Sequence, residues 1–212
     1  MRSRRTGSCN MAEPRKRKRA VDRRAEIVET ALRLAAEVGP DRVTTQRLAD
    51  AIGITQPAIF RHFPSKAAIW EAVAERIVAD LAHAHRHGQE SVAGKDPLDR
   101  LRHLVTHHFH HISKNPAVPA ILFSSELHAA HPELREKFAA LLAERRAGFA
   151  AMLREAEAAG LHRAGLVVED AAHLVMATIH GLSARWILEG RGFDLVEEGG
   201  RIVSALVESF RP

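Results

Sequence analysis

The chain of 212 residues contains no tyrosine, a single cysteine and two tryptophans, and aromatic residues make up only 5% of it. The cysteine is Cys9, near the N-terminus, so no disulfide can close within the chain and the reducing cytoplasm is the expected compartment. No apolar run approaches the ~20 residues of a membrane-spanning helix. The N-terminus is basic but lacks the apolar centre of a signal peptide. No alternating Val/Ile/Thr segments indicate strands. No glycine-rich phosphate loop and no recognisable pairing of nucleophile and base is present, so the chain is expected not to be an enzyme and to need no cofactor.

What is abundant is helix-forming. Apolar residues reach 46%, enough for a sizeable core, and Leu, Ala, Glu and Arg dominate. The expected fold class is all-α. Charge is placed unevenly. Residues 1–24 hold ten Lys/Arg against Glu13 and Asp22, a net of +8, whereas the whole chain carries +5, leaving −3 for the rest. Polyanion affinity is therefore concentrated at the N-terminal end. Residues 1–21 have no hydrophobic period and read as a disordered basic tail, with Met11 as a second candidate initiator. The run from Pro14 to Arg19 is either an arm that lies along phosphates or in a minor groove, or a solvated tail without sequence preference.

The stretch Thr44–Lys66 organises the remainder. Leu48, Ala49 and Ile52 share one face of a short helix. Gly53 suits the left-handed conformation that ends it, with Ile54 as the apolar lock. Thr55 can cap a second helix whose first turn tolerates Pro57. Ile59 and Phe63 point inward, Pro64 closes the helix and Ser65 caps a third. This is a helix-turn-helix, whose second helix enters a DNA major groove.

The segment from about Arg23 to Val73 resembles the DNA-binding domain of the TetR family of bacterial regulators. The matching residues are a helix with Ile27, Ala31 and Leu34 that ends at Gly39, then Val43-Thr44-Thr45, Leu48-Ala49, Gly53-Ile54, the run Gln56–Phe63 and Ser65-Lys66. The resemblance implies an N-terminal three-helix head over 22–68, joined by a long helix to a helical effector-binding and dimerisation body over 69–212. It also implies a ligand-responsive repressor that reads a palindromic DNA operator as a homodimer. Thr44 and Thr45, at a helix N-terminus, suit a phosphate, and Gln46 can reach a base edge. Thr55, Gln56, Ala58, Arg61 and His62 are the exposed candidates of the reading helix, with Pro57 in its first turn. Gln pairs with adenine, Arg with guanine, and small groups touch a thymine methyl. Lys66 suits a phosphate. Many family members carry Tyr where this chain has Phe60, which can pack on a sugar but cannot donate a hydrogen bond.

The rest of the chain reads as helices. Asp22 is the expected cap of the first, with Ala35 and Val38 completing its apolar stripe. The helix from Ser65 carries Ile69, Trp70, Val73, Ile77 and Leu81 and runs to about His87; in the family it links head and body. A loop is expected over 88–97, then a helix opened by Asp96-Pro97 with Leu98, Leu101, Val105, Phe109 and Ile112 inward. One helix is expected over about 117–130, a long one from Pro132 to Gly160, then one over about 169–189 and a last over roughly 194–210 that Gly199-Gly200 weakens. The broad apolar faces of the last two suggest a surface buried by another subunit, as the resemblance also implies. Candidate lining residues of an effector pocket are Phe109, Ile112, Phe123 and Leu127, with Phe149, Met152, Met176, His180 and Trp186.

Fourteen histidines remain to be placed. His103, His107 and His111 share one helix face, and His83, His85 and His87 lie near the end of another. This spacing leaves open a metal-responsive regulator, a metal-dependent enzyme, a pH-sensitive surface, or simply a solvated polar face. A sequence-nonspecific architectural DNA protein would explain the tail but not the large body.

Overall fold

The computed structural model describes residues 20–90 and 94–212. Ten α-helices follow one another: α1 Ala20–Val38, α2 Thr45–Ile52, α3 Gln56–Phe60, α4 Lys66–Glu90, α5 Pro97–Lys114, α6 Ala117–Leu122, α7 Ser125–Ala130, α8 Pro132–Ala158, α9 Val168–Leu188 and α10 Leu195–Glu208. A 3-10 turn at Pro40–Arg42 joins α1 to α2. Among the described residues there is no strand, and no helix is long and apolar enough to cross a membrane.

Local chemistry sets the boundaries. The Thr44 hydroxyl accepts from the Arg47 amide and caps α2. Gly53, with φ 74°, ends α2, and the Ile54 amide reaches back to the Ala49 carbonyl at 3.0 Å, the long closing bond of a helix C-terminus. Ser65 and Asp96 cap α4 and α5 through the amides of Ala68 and Asp99.

Several boundaries differ from the expected ones. Helix α1 is already formed at Ala20, the first described residue, so Asp22 lies within the helix rather than at its cap. Of the basic tail expected over 1–21, residues 1–19 lie outside the described residues, and Ala20 and Val21 are helical. Helix α3 stops at Phe60, and the amides of His62 and Phe63 both turn back to the Ile59 carbonyl, so Pro64 follows a turn and not a helix. Residues 88–90 continue α4 instead of forming a loop, and 91–93 lie outside the described residues. The helix expected over 117–130 is broken at Phe123-Ser124. There the Ser124 hydroxyl takes the Leu127 amide as a new cap, an alternative that Ser offers to continued helix. Gly199 and Gly200 do not interrupt α10. Asp194 caps it, and a Cβ at Gly199 would stand 2.7 Å from the Phe109 ring, so the missing side chain is what lets α10 lie against α5.

Apolar burial divides into two cores. The first joins α1, α2, α3 and α4 to α6, Leu127 of α7, and Leu134 and Phe138 at the start of α8. The second joins α5, the C-terminal half of α8, α9 and α10 around Phe109, Phe149 and Val203. Residue 68 thus falls inside a continuous core, and α8 crosses from one core to the other.

Candidate nucleic-acid interface and effector cavity

The head presents a polar and partly apolar edge made by the N-terminus of α2 and by α3. Thr44, Gln46, Thr55, Pro57, Phe60 and Arg61 are exposed, with Phe60 44% accessible. Thr45, Gln56, His62 and Lys66 are half-buried. Ala58 is buried, against the expectation that it is exposed, because it shares the inward side of the short α3 with Ile59. Thr55 stands at the cap position of α3, but its hydroxyl makes no capping bond.

Two of the candidate readers are already engaged. The Gln56 amide donates to the Thr45 hydroxyl at 2.7 Å, and the Gln46 amide donates to the Asp50 carboxylate at 2.7 Å. Arg61 makes no ion pair among the described residues. Arg24, counted in sequence with the basic tail, has a different role. Its guanidinium donates to the His62 carbonyl and stacks 4.0 Å over the Phe63 ring, tying α1 to the turn after α3. Sequence spacing could not reveal this, since 38 residues separate the partners.

A narrow, partly open cavity, with about 40 Å³ of room for the centre of a water-sized sphere, lies at the seam of the two cores. Ile77, Leu81, Val118 and Phe138 line it from one core, and Ile112, Met176 and Ile179 from the other. Phe123, 43% exposed, and His180 close one side with their rings edge to face at 5.9 Å. Of the nine residues expected to line a pocket, Ile112, Phe123, Met176 and His180 are gathered here. Phe109, Phe149, Met152 and Trp186 are packed in the second core, where the Trp186 indole donates to the Phe193 carbonyl, and Leu127 is packed in the first. The periodicity that marked these residues as apolar and inward marks core and cavity alike. His108 and Arg145, which also line the cavity, carried no such signal.

The histidines form a solvated face only in part: His83, His87 and His110 are exposed. His103, His107, His108 and His111 of α5 are half-buried, and His107 lies alongside Gly88 of α4. Burial lowers the pKa of all four, and the charge of Arg145 adds to it at His108, which is pushed down to about 3. His85 falls to about 4 by burial and the same arginine, and His180 is lowered by burial alone. Among the described residues, no three or more His, Cys, Asp or Glu side chains come together in a way that could hold a metal ion.

One polar link leaves the cavity wall for the head. The Ser124 hydroxyl, next to Phe123, donates to the Asp41 carboxylate at 2.6 Å, and Asp41 lies in the 3-10 turn three residues before Thr44.

Comparison with known proteins agrees with this layout. Residues 27–73 match the family model of bacterial regulatory proteins of the tetR family, and residues 81–209 match that of the C-terminal region of YsiA-like proteins. The nucleoid occlusion factor SlmA of Vibrio cholerae is 31% identical over 137 residues, which span 64% of this chain and 68% of that protein. The matched stretch spans 60% of SlmA from Vibrio atlanticus. The class C tetracycline repressor protein of Escherichia coli is 40% identical over 62 residues, 29% of this chain and 28% of that one. The transcriptional regulator FadR of Bacillus subtilis, solved in complex with stearoyl-CoA, superposes with a TM-score of 0.70 at 21% identity, covering 86% of this chain and 97% of that one.

Proposed function

The chain belongs to the TetR family of bacterial transcriptional regulators and is a DNA-binding regulator, and from that premise we propose a ligand-responsive repressor that binds a palindromic operator as a homodimer. The observation that carries the reading is the cavity at the seam between the head's core and the body's core. A ligand there fills space that both cores share, so it discriminates between two ways of setting the head on the body. Such a ligand shifts operator occupancy by no more than its differential affinity for the two states. Two connections carry the shift: α4, whose Ile77 and Leu81 line the cavity, and the Phe123-Ser124 break with its bond to Asp41.

The division of roles is a DNA-reading part over 22–68 and an effector-binding and dimerising part over 69–212, acting in the cytoplasm where the operator is. No catalytic role is assigned to any residue. Arg61, whose side chain has no ion-pair partner among the described residues, is the leading base reader, and Thr44 and Lys66 hold phosphates. Gln46 and Gln56 read bases by exchanging Asp50 and Thr45 for a base edge. The dimer surface is the outward face of α9, where Leu174 and Leu188 are 49% and 86% exposed beside Ala177, Gly181 and Arg185, together with Ile202, Ala205 and Leu206 of α10. Small residues at 177 and 181 allow close approach of a second helix, and two heads then reach half-sites about one DNA turn (~34 Å) apart.

The test is binding to a palindrome in the DNA beside the gene, with random DNA as competitor. Arg61→Ala should cost about 1–3 kcal/mol on the operator and little on random sequence. Lys66→Ala should weaken both and reduce the salt slope. Equal losses on both DNAs for Arg61→Ala would remove the base-reading role.

A further inference from the structure

The cavity contains one permanent charge. Arg145 of α8 sits between Leu141 and Leu142, which pack with the first core and the second, and it lines both the cavity and the shallow cleft between α4 and α8. Its guanidinium donates to the Leu81 carbonyl at 3.3 Å. No carboxylate forms an ion pair with it among the described residues. The adjacent Glu144 favours its charge, but burial outweighs this and lowers its pKa. His85, His108 and His180 around it are held neutral and supply no counter-charge. Arg76, Arg100, Arg154, Arg185 and Arg211, by contrast, each rest on a carboxylate. A half-buried cation facing apolar walls is costly until an anion reaches it.

We propose that Arg145 is the anion-binding residue of this cavity, and that the effector is a small apolar molecule ending in a free carboxylate or phosphate held within the cavity. The proposal rests on the cavity being the effector site. A guanidinium fork matches either group with two parallel hydrogen bonds. The walls formed by Ile112, Leu142, Met176 and Ile179 take the hydrocarbon body. An acyl thioester of coenzyme A is a different ligand, because it has no anionic group at the end of its acyl chain.

The experiment is calorimetric titration of the full chain with decanoate, decyl phosphate, decanol, decylamine and decanoyl-CoA, for the native protein, Arg145→Met and Arg145→Lys. At least one of the two simple anions should bind about tenfold or more tightly than decanol, and decylamine should be weakest. Whichever anion binds identifies the terminal group. Arg145→Met should erase the preference and raise the melting temperature of the ligand-free protein, while Arg145→Lys keeps part of the preference. Equal affinity of the native protein for decanol and both anions overturns the proposal, and that comparison needs no variant. Tightest binding of decanoyl-CoA that is indifferent to Arg145→Met overturns it too. So does a lower melting temperature in Arg145→Met with the preference intact, the mark of a structural arginine. If decanol binds and releases operator DNA without any charge preference, the cavity remains the effector site and only the anion falls. If none of the five binds, both readings fall.

Discussion

The two cores differ in what they are built to hold. The first packs short helices: α2 and α3 are eight and five residues long, and they keep their places through caps, a left-handed glycine and inward Leu48, Ile59 and Phe63. The second packs α5, α8, α9 and α10, long helices that meet along whole faces around Phe109 and Phe149. Local chemistry therefore shapes the part that faces DNA, whereas broad helix-on-helix burial shapes the part proposed to face a ligand and a second subunit. The difference explains where a signal can enter. Each core is closely packed, and the space left between them is where an added molecule costs least to insert and changes most.

The sharpest way to break this contrast is to hollow out each core in turn. Phe63→Ala and Phe109→Ala should each cost about 3–5 kcal/mol in urea unfolding, since both rings are fully buried. Their functional consequences should part. Phe63→Ala also removes the platform on which Arg24 stacks, so operator binding fails while self-association survives. Phe109→Ala loosens α10 from α5 around Gly199, so self-association weakens first. If both variants lose both properties together, the two cores act as one.

A milder probe is pH. His85, His108 and His180, at the seam, have pKa values below the 6.5 they take in the unfolded chain. The unfolded state then binds more protons, so stability rises with pH in this window. The stabilisation is complete above about pH 6.5 and is lost as pH falls toward the folded values, about 4 for His85 and about 3 for His108. For His108 the loss by pH 5 should be on the order of 1–2 kcal/mol, read as a lower melting temperature. His108→Leu should flatten that dependence, and an unchanged slope would place the histidine in water.

The smallest expected effect concerns the link between cavity and head. Ser124→Ala removes a cap and the bond to Asp41 and should cost about 1 kcal/mol. Ligand affinity should hold, while the ligand's effect on operator affinity shrinks. Coupling of full size in Ser124→Ala would leave α4 as the sole connection.

Much of this was legible in the sequence, and the reasons are local. Thr44, Gly53, Pro57 and Ser65 signal turns and caps through their own backbone preferences, so the helix-turn-helix could be read from neighbouring residues alone. The inward stripes of α4 and α5 followed from helical period, and every apolar residue expected on them is buried. The cavity was only partly legible. Ile112, Phe123, Met176 and His180 line it, but the same pattern also selected Phe109 and Trp186, which are core, because period distinguishes inside from outside and not filled from empty.

The sequence by itself determined the family, the helical class, the reading head and the concentration of positive charge near it, since each rests on short-range chemistry or on composition. Only the tertiary structure decided which inward residues meet, because that depends on how separate helices cross. It buried Ala58, turned Arg24 from a tail charge into a brace, half-buried four of the five α5 histidines, and split one expected helix at Ser124 to make a bond to Asp41. It also left Arg145, one arginine among many in the chain, at the seam of two cores with no carboxylate partner among the described residues.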